Sequence, residues 1–539
     1  FLYTYLKDIR LVYAPPLAIG NFGGEVDNWM WPRHTGDFSF MRAYVAPDGS
    51  PAEYSLENIP FTPKKVIKLA PEGVVEGDFV FIMGYPGKTY RHRTSYFLEY
   101  EEEFRMPYIV DLYQWQIDIM DQMGENDPEI ELKLTSRIKS LSNVMKNYRG
   151  KFIGLKRLKL VEEKRKEENA LQEFISANQL LNAKHGSLFS QIEKIYKDKR
   201  TSGPRDQLLY FLIRSSSMMN YAYLLYESSI EMQKPDSDRE NSFMNHNKDQ
   251  TLNRIMISME NFYEPADKAI LKDLLLRAAV LPKNDQISAL SGIIEHKDIN
   301  SSINGFIKTI YRESRLVNPE LYTNLWGKTT AEIEAIEEPF IKLVAELYPV
   351  YQEWKENDKI RKGKLDELLS KLVDIKKEFQ GKNLIPDANG TLRLTFGNIK
   401  GYSPSDATWF HPVTTLDGVI QKNTGVKPFN TPQRLIELYN KRDFGTYRTH
   451  GFTSVPTGIL YDMDTTGGNS GSPVLNAKGE MVGINFDRAF GATINDFKWS
   501  EDYSRSIGVD IRYVLWVTDK FSNAQHIIRE LGLRREATD

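Results

Sequence analysis

The chain has 539 residues, 41% of them hydrophobic and 27% charged, with a formal net charge of -3 and no cysteine. That length predicts about three or four structural units in a globular protein. The near-balanced charge argues against polyanion binding, and the missing cysteines exclude disulfides, thiolate catalysis and sulfur-ligated zinc.

Residues 1–93 predict β structure, because short β-branched and aromatic runs such as "FSFMRAYV" and "DFVFIMGYPG" alternate with Pro, Gly, Asn and Asp clusters. The start, "FLYTYLKDIRLVYAPP", has no Met, basic leader or cleavage site, which is the pattern expected of a fragment or a processed product. From 94 to 390 the chain turns charged and helix-periodic, as in "GLKRLKLVEEKRKEENALQEFISANQLL" at 154–181, where Leu155, Leu158 and Val161 mark one apolar stripe. The polar stretch 231–251 predicts a surface connection, with Pro235 blocking helix continuation. Alternation returns over 391–539 in "TLRLTF" and "MVGINF", and "NAQHIIREL" predicts a closing helix. The order β, α, β predicts a helical insertion between two β units. The longest apolar runs, such as "YVLWV" at 513–517, are too short to span a bilayer.

The chemistry concentrates in "TTGGNSGSPVLNAKGEMVGINFDRAF", residues 465–490. Its "GGNSGSP" resembles the nucleophile turn of chymotrypsin-like peptidases, where a sharp glycine-rich bend exposes a serine hydroxyl and aims backbone N–H groups at the developing oxyanion. On that alignment Ser470 is the nucleophile, the amides of Gly468 and Ser470 form the oxyanion hole, and Ser472 is the second candidate. A glycine-rich hairpin loop would use the same residue types for turn geometry alone. About twenty residues on, where such a barrel lines its primary specificity pocket, stand Asp487 and Arg488. Asn469 occupies the position where trypsin-like zymogens carry an aspartate, so activation by a new N-terminus is not expected.

"GGEVDNWMWPRHTGDFSFMRAY" (23–44), "MGYPGKTYRHRTS" (83–95), the serine stretch and "RSIGVDIRYVLWVTDKF" (505–521) together resemble the bacterial dipeptidyl-peptidase 7 and 11 family of serine peptidases. The resemblance runs over essentially the whole chain. It implies an α+β multidomain fold: a chymotrypsin-like double β-barrel, its first barrel incomplete here, with a large inserted all-α domain. It also implies export to the periplasm and a possible homodimer. The triad acid becomes Asp37, in "HTGDF", and the nucleophile Ser470. The family's general base sits in a "TNHH"-type motif that does not occur in this chain. His34, three residues before Asp37, is structural or pocket-forming in the family pattern, and His92, His185 and His450 lie in other contexts. The base is therefore expected from an upstream segment, and this chain by itself is expected to be inactive or part of an assembled enzyme.

A dipeptidyl peptidase must hold a free α-ammonium two residues before the scissile bond, which calls for an anion and amide oxygens at a fixed distance from the nucleophile. The family pattern places this task on Asn28, on a helical-domain asparagine and on Asp487, with Trp29 walling the pocket of the first substrate side chain. For the helical-domain residue, "SLSNVMKNYRG" offers Asn143 and Asn147, of which Asn143 is preferred; an Asn on a solvated helix face is the bland alternative. Adjacent residues on a strand point to opposite sides, so Asp487 and Arg488 are not expected to pair with each other. The acid-specific branch carries arginine at the position of Arg488, which implies cleavage after Asp or Glu. Rival readings are a dipeptidyl peptidase with hydrophobic preference, a glutamyl endopeptidase, and a noncatalytic peptide-binding protein. Neither a His-Glu-x-x-His pattern nor a phosphate-binding Gly-Lys loop occurs, so no cofactor is expected.

Overall fold

The computed structural model describes residues 4–294 and 297–533. The chain divides into two compact units, one of residues 1–92, 146–154 and 385–539, the other of 93–145 and 155–384. The helix Pro128–Leu158 contributes to both. Residues 146–154, inside the stretch read from sequence as the helical insertion, thus belong to the β-rich unit.

Ten strands are described, all in the first unit: β1 (Asp8–Tyr13), β2 (Phe40–Val45), β3 (Ile59–Pro60), β4 (Phe79–Gly84), β5 (Arg393–Asn398), β6 (Val413–Thr415), β7 (Pro456–Tyr461), β8 (Pro473–Asn476), β9 (Met481–Arg488) and β10 (Ser506–Asp510). They form an antiparallel three-stranded sheet, β1-β2-β3, and a seven-stranded sheet ordered β5-β4-β8-β9-β10-β7-β6; among the described residues neither closes into a barrel. The expectation that everything before residue 93 makes one barrel and everything after 391 another needs correction at β4. That strand pairs with β5 and β8, in register Phe81↔Phe396 and Val80↔Asn476, so it belongs to the sheet of the C-terminal segment. Alternation reports which face of a strand is apolar, but not which strand it pairs with.

β4 shows how the sheet is oriented. Val80 and Ile82 are fully buried among Val413, Ile459, Tyr461, Val474 and Val482, while Phe79 and Met83 on the opposite face are exposed. A second core gathers Ile19, Phe22, Phe38, Leu416, Val509 and Trp516. Between the strands and the C-terminal helices, Asp510 caps the helix Ile511–Trp516 and binds Arg512 in two parallel bonds of 2.8 and 2.6 Å, both side chains being wholly buried. Arg512 also donates to the Val74 carbonyl at 2.8 Å. Truncating it strands a carboxylate in the interior, so Arg512→Met is expected to cost about 3–5 kcal/mol, read as a lowered denaturant midpoint. A midpoint that does not move would show that the pair contributes no net stability.

The second unit is helical throughout. Its longest helix, Pro339–Gln380, starts on the Glu338 side chain, which accepts from the Phe340 and Ile341 N–H groups, and stops at Gly381 in the left-handed region. Leu365, Leu368, Leu372 and Ile375 repeat at helical spacing and pack on Leu171, Ile175, Leu188 and Ile192. The 154–181 stretch is not one helix: Lys159 adopts φ +47° and separates Pro128–Leu158 from Leu160–Ala177. The segment 231–251 holds three short 3₁₀ turns before the next helix begins at Lys248. No described helix is long and apolar enough to cross a membrane.

Candidate active site

The turn before β8 is fastened to β9 by hydrogen bonds that continue the β8–β9 ladder. Gly471 N–H donates to the Asn485 carbonyl at 2.8 Å, and Asn485 N–H to the Ser472 carbonyl at 3.0 Å. The Asn485 side chain donates to the Asn469 carbonyl at 3.1 Å and accepts from the buried Tyr461 hydroxyl at 2.6 Å. Within the turn, Asn469 Oδ1 accepts from Thr466 N–H at 3.1 Å. Gly468 sits at φ +103°, where only glycine is unstrained, and a Cβ there would collide with the Tyr85 carbonyl oxygen. A sharp, rigid bend results, and it leaves Ser470 exposed.

Its hydroxyl donates to the Phe486 carbonyl at 3.2 Å, and no described histidine is bonded to it. Phe486 is the extra residue of a β-bulge, since Asp487 pairs with Ile507 while Asn485 pairs with Gly508. Bulges re-aim side chains beside functional sites. The backbone N–H groups of Gly468 and Ser470 donate to no described residue. Two unpaired donors beside an exposed hydroxyl have the chemistry an oxyanion requires.

Asp487 and Arg488 follow on β9, and their side chains take different partners, as the strand geometry predicts. Asp487 Oδ2 accepts from Trp29 N–H at 3.0 Å and from Arg33 Nη1 at 2.9 Å, while Oδ1 accepts from the Arg488 N–H at 2.8 Å. Burial raises the carboxyl above the usual Asp range, with Arg33 and the two N–H groups opposing it. Trp29, held by that contact, has φ +63°, which is uncommon for a bulky side chain and is compatible with function-imposed strain.

Arg488 lies 4% exposed, with its guanidinium carbon 5.5 Å from the centroid of the Trp29 ring. Its Nη1 donates to Asp496 at 3.0 Å and to the Thr465 and Ala492 carbonyls at 3.2 and 3.4 Å. Nε and Nη2 donate to no described residue, and neither is sealed from solvent. Asp496 is shared: Lys151 approaches it at 2.7 Å and Thr466 donates to it at 2.6 Å. Burial alone would raise this carboxyl, but Arg488, then Lys151 and Thr466, outweigh it and hold it well below the usual range.

Asn28 is half-buried and donates to Glu25 at 3.1 Å, and Glu25 lies 3.8 Å from Lys146. The same β-rich unit therefore holds Ser470, Asp37, Asn28, Trp29, Asp487 and Arg488, and also Asn147; Asn143 belongs to the helical unit. Asp37 is exposed on the loop before β2. His34 is buried against Gly418, and its Nδ1 has no partner among the described residues. Burial, with Lys422 and Arg33 nearby, pushes its pKa down to about 3, so it stays neutral and makes no described bond to Asp37 or Ser470.

Sequence reasoning passed over Arg33, Asn485, Asp496 and Lys151. Arg33 stood inside the "WPRHTGDF" motif, but nothing in its spacing announces an ion pair with a residue 454 positions away. Asp496 follows Arg488 by eight residues, across a 3₁₀ segment, Phe490–Asp496, that folds it back onto the guanidinium. Lys151 reaches the same carboxylate from the helix assigned to the insertion, so only the tertiary structure reveals it.

Comparison with known proteins bears on the chain as a whole. The Peptidase S46 family model matches residues 1–533. An Asp/Glu-specific dipeptidyl-peptidase from Shewanella putrefaciens is 33% identical, over 98% of this chain and 75% of its own length. A dipeptidyl-peptidase 7 from Capnocytophaga gingivalis is 32% identical, over 99% of this chain and 74% of its own. The crystal structure of Porphyromonas endodontalis DPP11 in complex with the dipeptide Arg-Asp superposes with a TM-score of 0.80 at 29% identity, covering 98% of this chain and 74% of that one. With the family model spanning nearly every residue and relatives of this identity covering three quarters of their own length, the chain belongs to the Peptidase S46 family.

Proposed function

We propose that the protein is a serine dipeptidyl-peptidase that releases N-terminal dipeptides ending in Asp or Glu through an acyl-enzyme. Ser470 attacks, the amides of Gly468 and Ser470 receive the oxyanion, and Asp37 orients the catalytic histidine. Asp487 and Asn28, with Asn143 or Asn147, hold the substrate ammonium, and Trp29 and Arg488 form the pocket for the acidic side chain. One observation carries the reading: a single strand presents Asp487 and Arg488 immediately beyond the carbonyl that binds Ser470, each with its own buried partners. An amine holder and an acid reader at fixed positions from one nucleophile measure out two residues. The two sheets are read as parts of a chymotrypsin-like double barrel, and export and homodimerisation follow the family pattern.

The test is an assay of the full-length protein on fluorogenic Leu-Asp, Leu-Glu and Leu-Leu substrates, each free and N-acetylated. Cleavage of the free acidic pair alone is expected. Equal cleavage of Leu-Leu would point to the hydrophobic preference, and cleavage of acetylated peptides to an endopeptidase.

The amine contact also predicts a pH dependence. Asp487 holds an ammonium only when ionised, and burial raises its pKa, so binding is lost on acidification at a pH above the ordinary Asp range. On the alkaline side the substrate amine itself deprotonates near about pH 8. kcat/KM should fall on both sides, and Asp487→Asn should weaken binding of free-amine substrates and move the acid limb. An acid limb that stays in place would remove Asp487 from amine recognition.

A further inference from the structure

We infer that Asp496 is the positioning residue that sets the depth and orientation of the Arg488 guanidinium, and thereby the choice between Asp and Glu. The inference rests on the proposed role of Arg488 as reader of the acidic side chain.

An arginine side chain has four rotatable bonds, and left alone its planar fork would sample many directions. Here three acceptors hold one corner: Asp496 and the Thr465 and Ala492 carbonyls all receive Nη1. The face of the fork is placed against Trp29. What remains is the opposite edge, Nε and Nη2, which has no described partner and is not sealed from solvent. That edge is the one able to receive a carboxylate in two parallel bonds.

Asp496 is suited to be the anchor because its own place is fixed from three sides. Lys151 and Thr466 hold it beside Arg488, and its backbone carbonyl accepts from Tyr90 N–H at 2.6 Å. It stays ionised throughout the range in which a substrate carboxylate is ionised. The cluster of Arg488, Lys151 and Asp496 keeps one net positive charge, so an incoming carboxylate meets a compensated site with one charge to neutralise. A buried guanidinium with no counter-charge is strongly unfavourable to hold in place.

The test is a set of variants assayed on Leu-Asp, Leu-Glu and Leu-Leu substrates. Asp496→Glu keeps the charge but advances it by one methylene, pushing the guanidinium toward the pocket mouth. The ratio of kcat/KM for Asp over Glu substrates is expected to rise several-fold, carried by KM. Asp496→Asn is expected to lower the ratio of acidic to Leu-Leu cleavage about tenfold or more. Should that variant fold poorly, Arg488→Met/Asp496→Asn removes both charges together. If Asp496 supports acid reading through Arg488, neutralising it in the Arg488→Met background adds no further loss, and the double variant has an acidic to Leu-Leu ratio at or above that of Arg488→Met. Unmoved ratios in the Glu and Asn variants, or additive losses in the double variant, would overturn the inference. If Arg488→Met itself keeps the acidic preference, the failure belongs to the proposed function, because Arg488 is then not the reader.

Discussion

Replacing Ser470 by alanine is expected to lower kcat by about 10⁴-fold or more on every substrate, acidic or neutral. Ser470 is exposed, and its hydroxyl makes one described bond, to the Phe486 carbonyl. Removing it creates no cavity and strands no buried donor, so the fold should lose no more than about 1 kcal/mol. The turn itself is held by Asn469, Asn485, Tyr461 and the left-handed Gly468, none of which depends on the Ser470 side chain. A large loss of rate in a protein with an unchanged unfolding midpoint is the signature of a lost nucleophile. Because the Gly468 and Ser470 amides survive the substitution, the oxyanion donors remain and substrate should still bind. Retained turnover, or a comparable loss only on Ser472→Ala, would move the nucleophile two residues along.

The contrast between what the sequence disclosed and what it hid follows the range of each interaction. The Gly-Gly-Asn-Ser-Gly-Ser-Pro turn was legible because its constraints are local: a positive φ at Gly468 and a bend that must expose Ser470 are written in adjacent residues. The separation of Asp487 from Arg488 was legible for the same reason, since strand alternation is a two-residue rule. The partners of these two residues were not. Arg33 pairs with Asp487 across the length of the chain, and Lys151 meets Asp496 from the helix Pro128–Leu158. A charged residue on a helix with i,i+4 neighbours looks solvated until a buried carboxylate is found against it. The same limit misplaced β4, whose apolar alternation fits either sheet, and enclosed within the insertion residues 146–154, which belong to the β-rich unit. Trp29 illustrates the middle case. Its motif pointed to a pocket wall, but only its left-handed backbone, its bond to Asp487 and its ring against Arg488 show that one residue touches both of these side chains.

Replacing Arg488 by glycine is expected to lower kcat/KM for Leu-Asp and Leu-Glu substrates by about 10²-fold or more, with a much smaller loss on Leu-Leu. A bidentate, charge-assisted contact to a carboxylate contributes about 3 kcal/mol, which is the hundredfold. The surrounding charges enlarge the effect. With the guanidinium gone, Asp496 keeps Lys151 and Thr466 at 2.7 and 2.6 Å and so remains ionised, but it now faces the emptied pocket as a buried anion. An acidic substrate side chain would then meet repulsion where it had met attraction, while a neutral side chain would gain the vacated space beside Trp29. The loss should therefore appear mainly in KM for acidic substrates and shrink as Asp496 is neutralised in the same background. A variant that still prefers Asp or Glu by the original margin would show that another cation reads the substrate, and Lys151, the remaining positive charge of the cluster, would be the first to test.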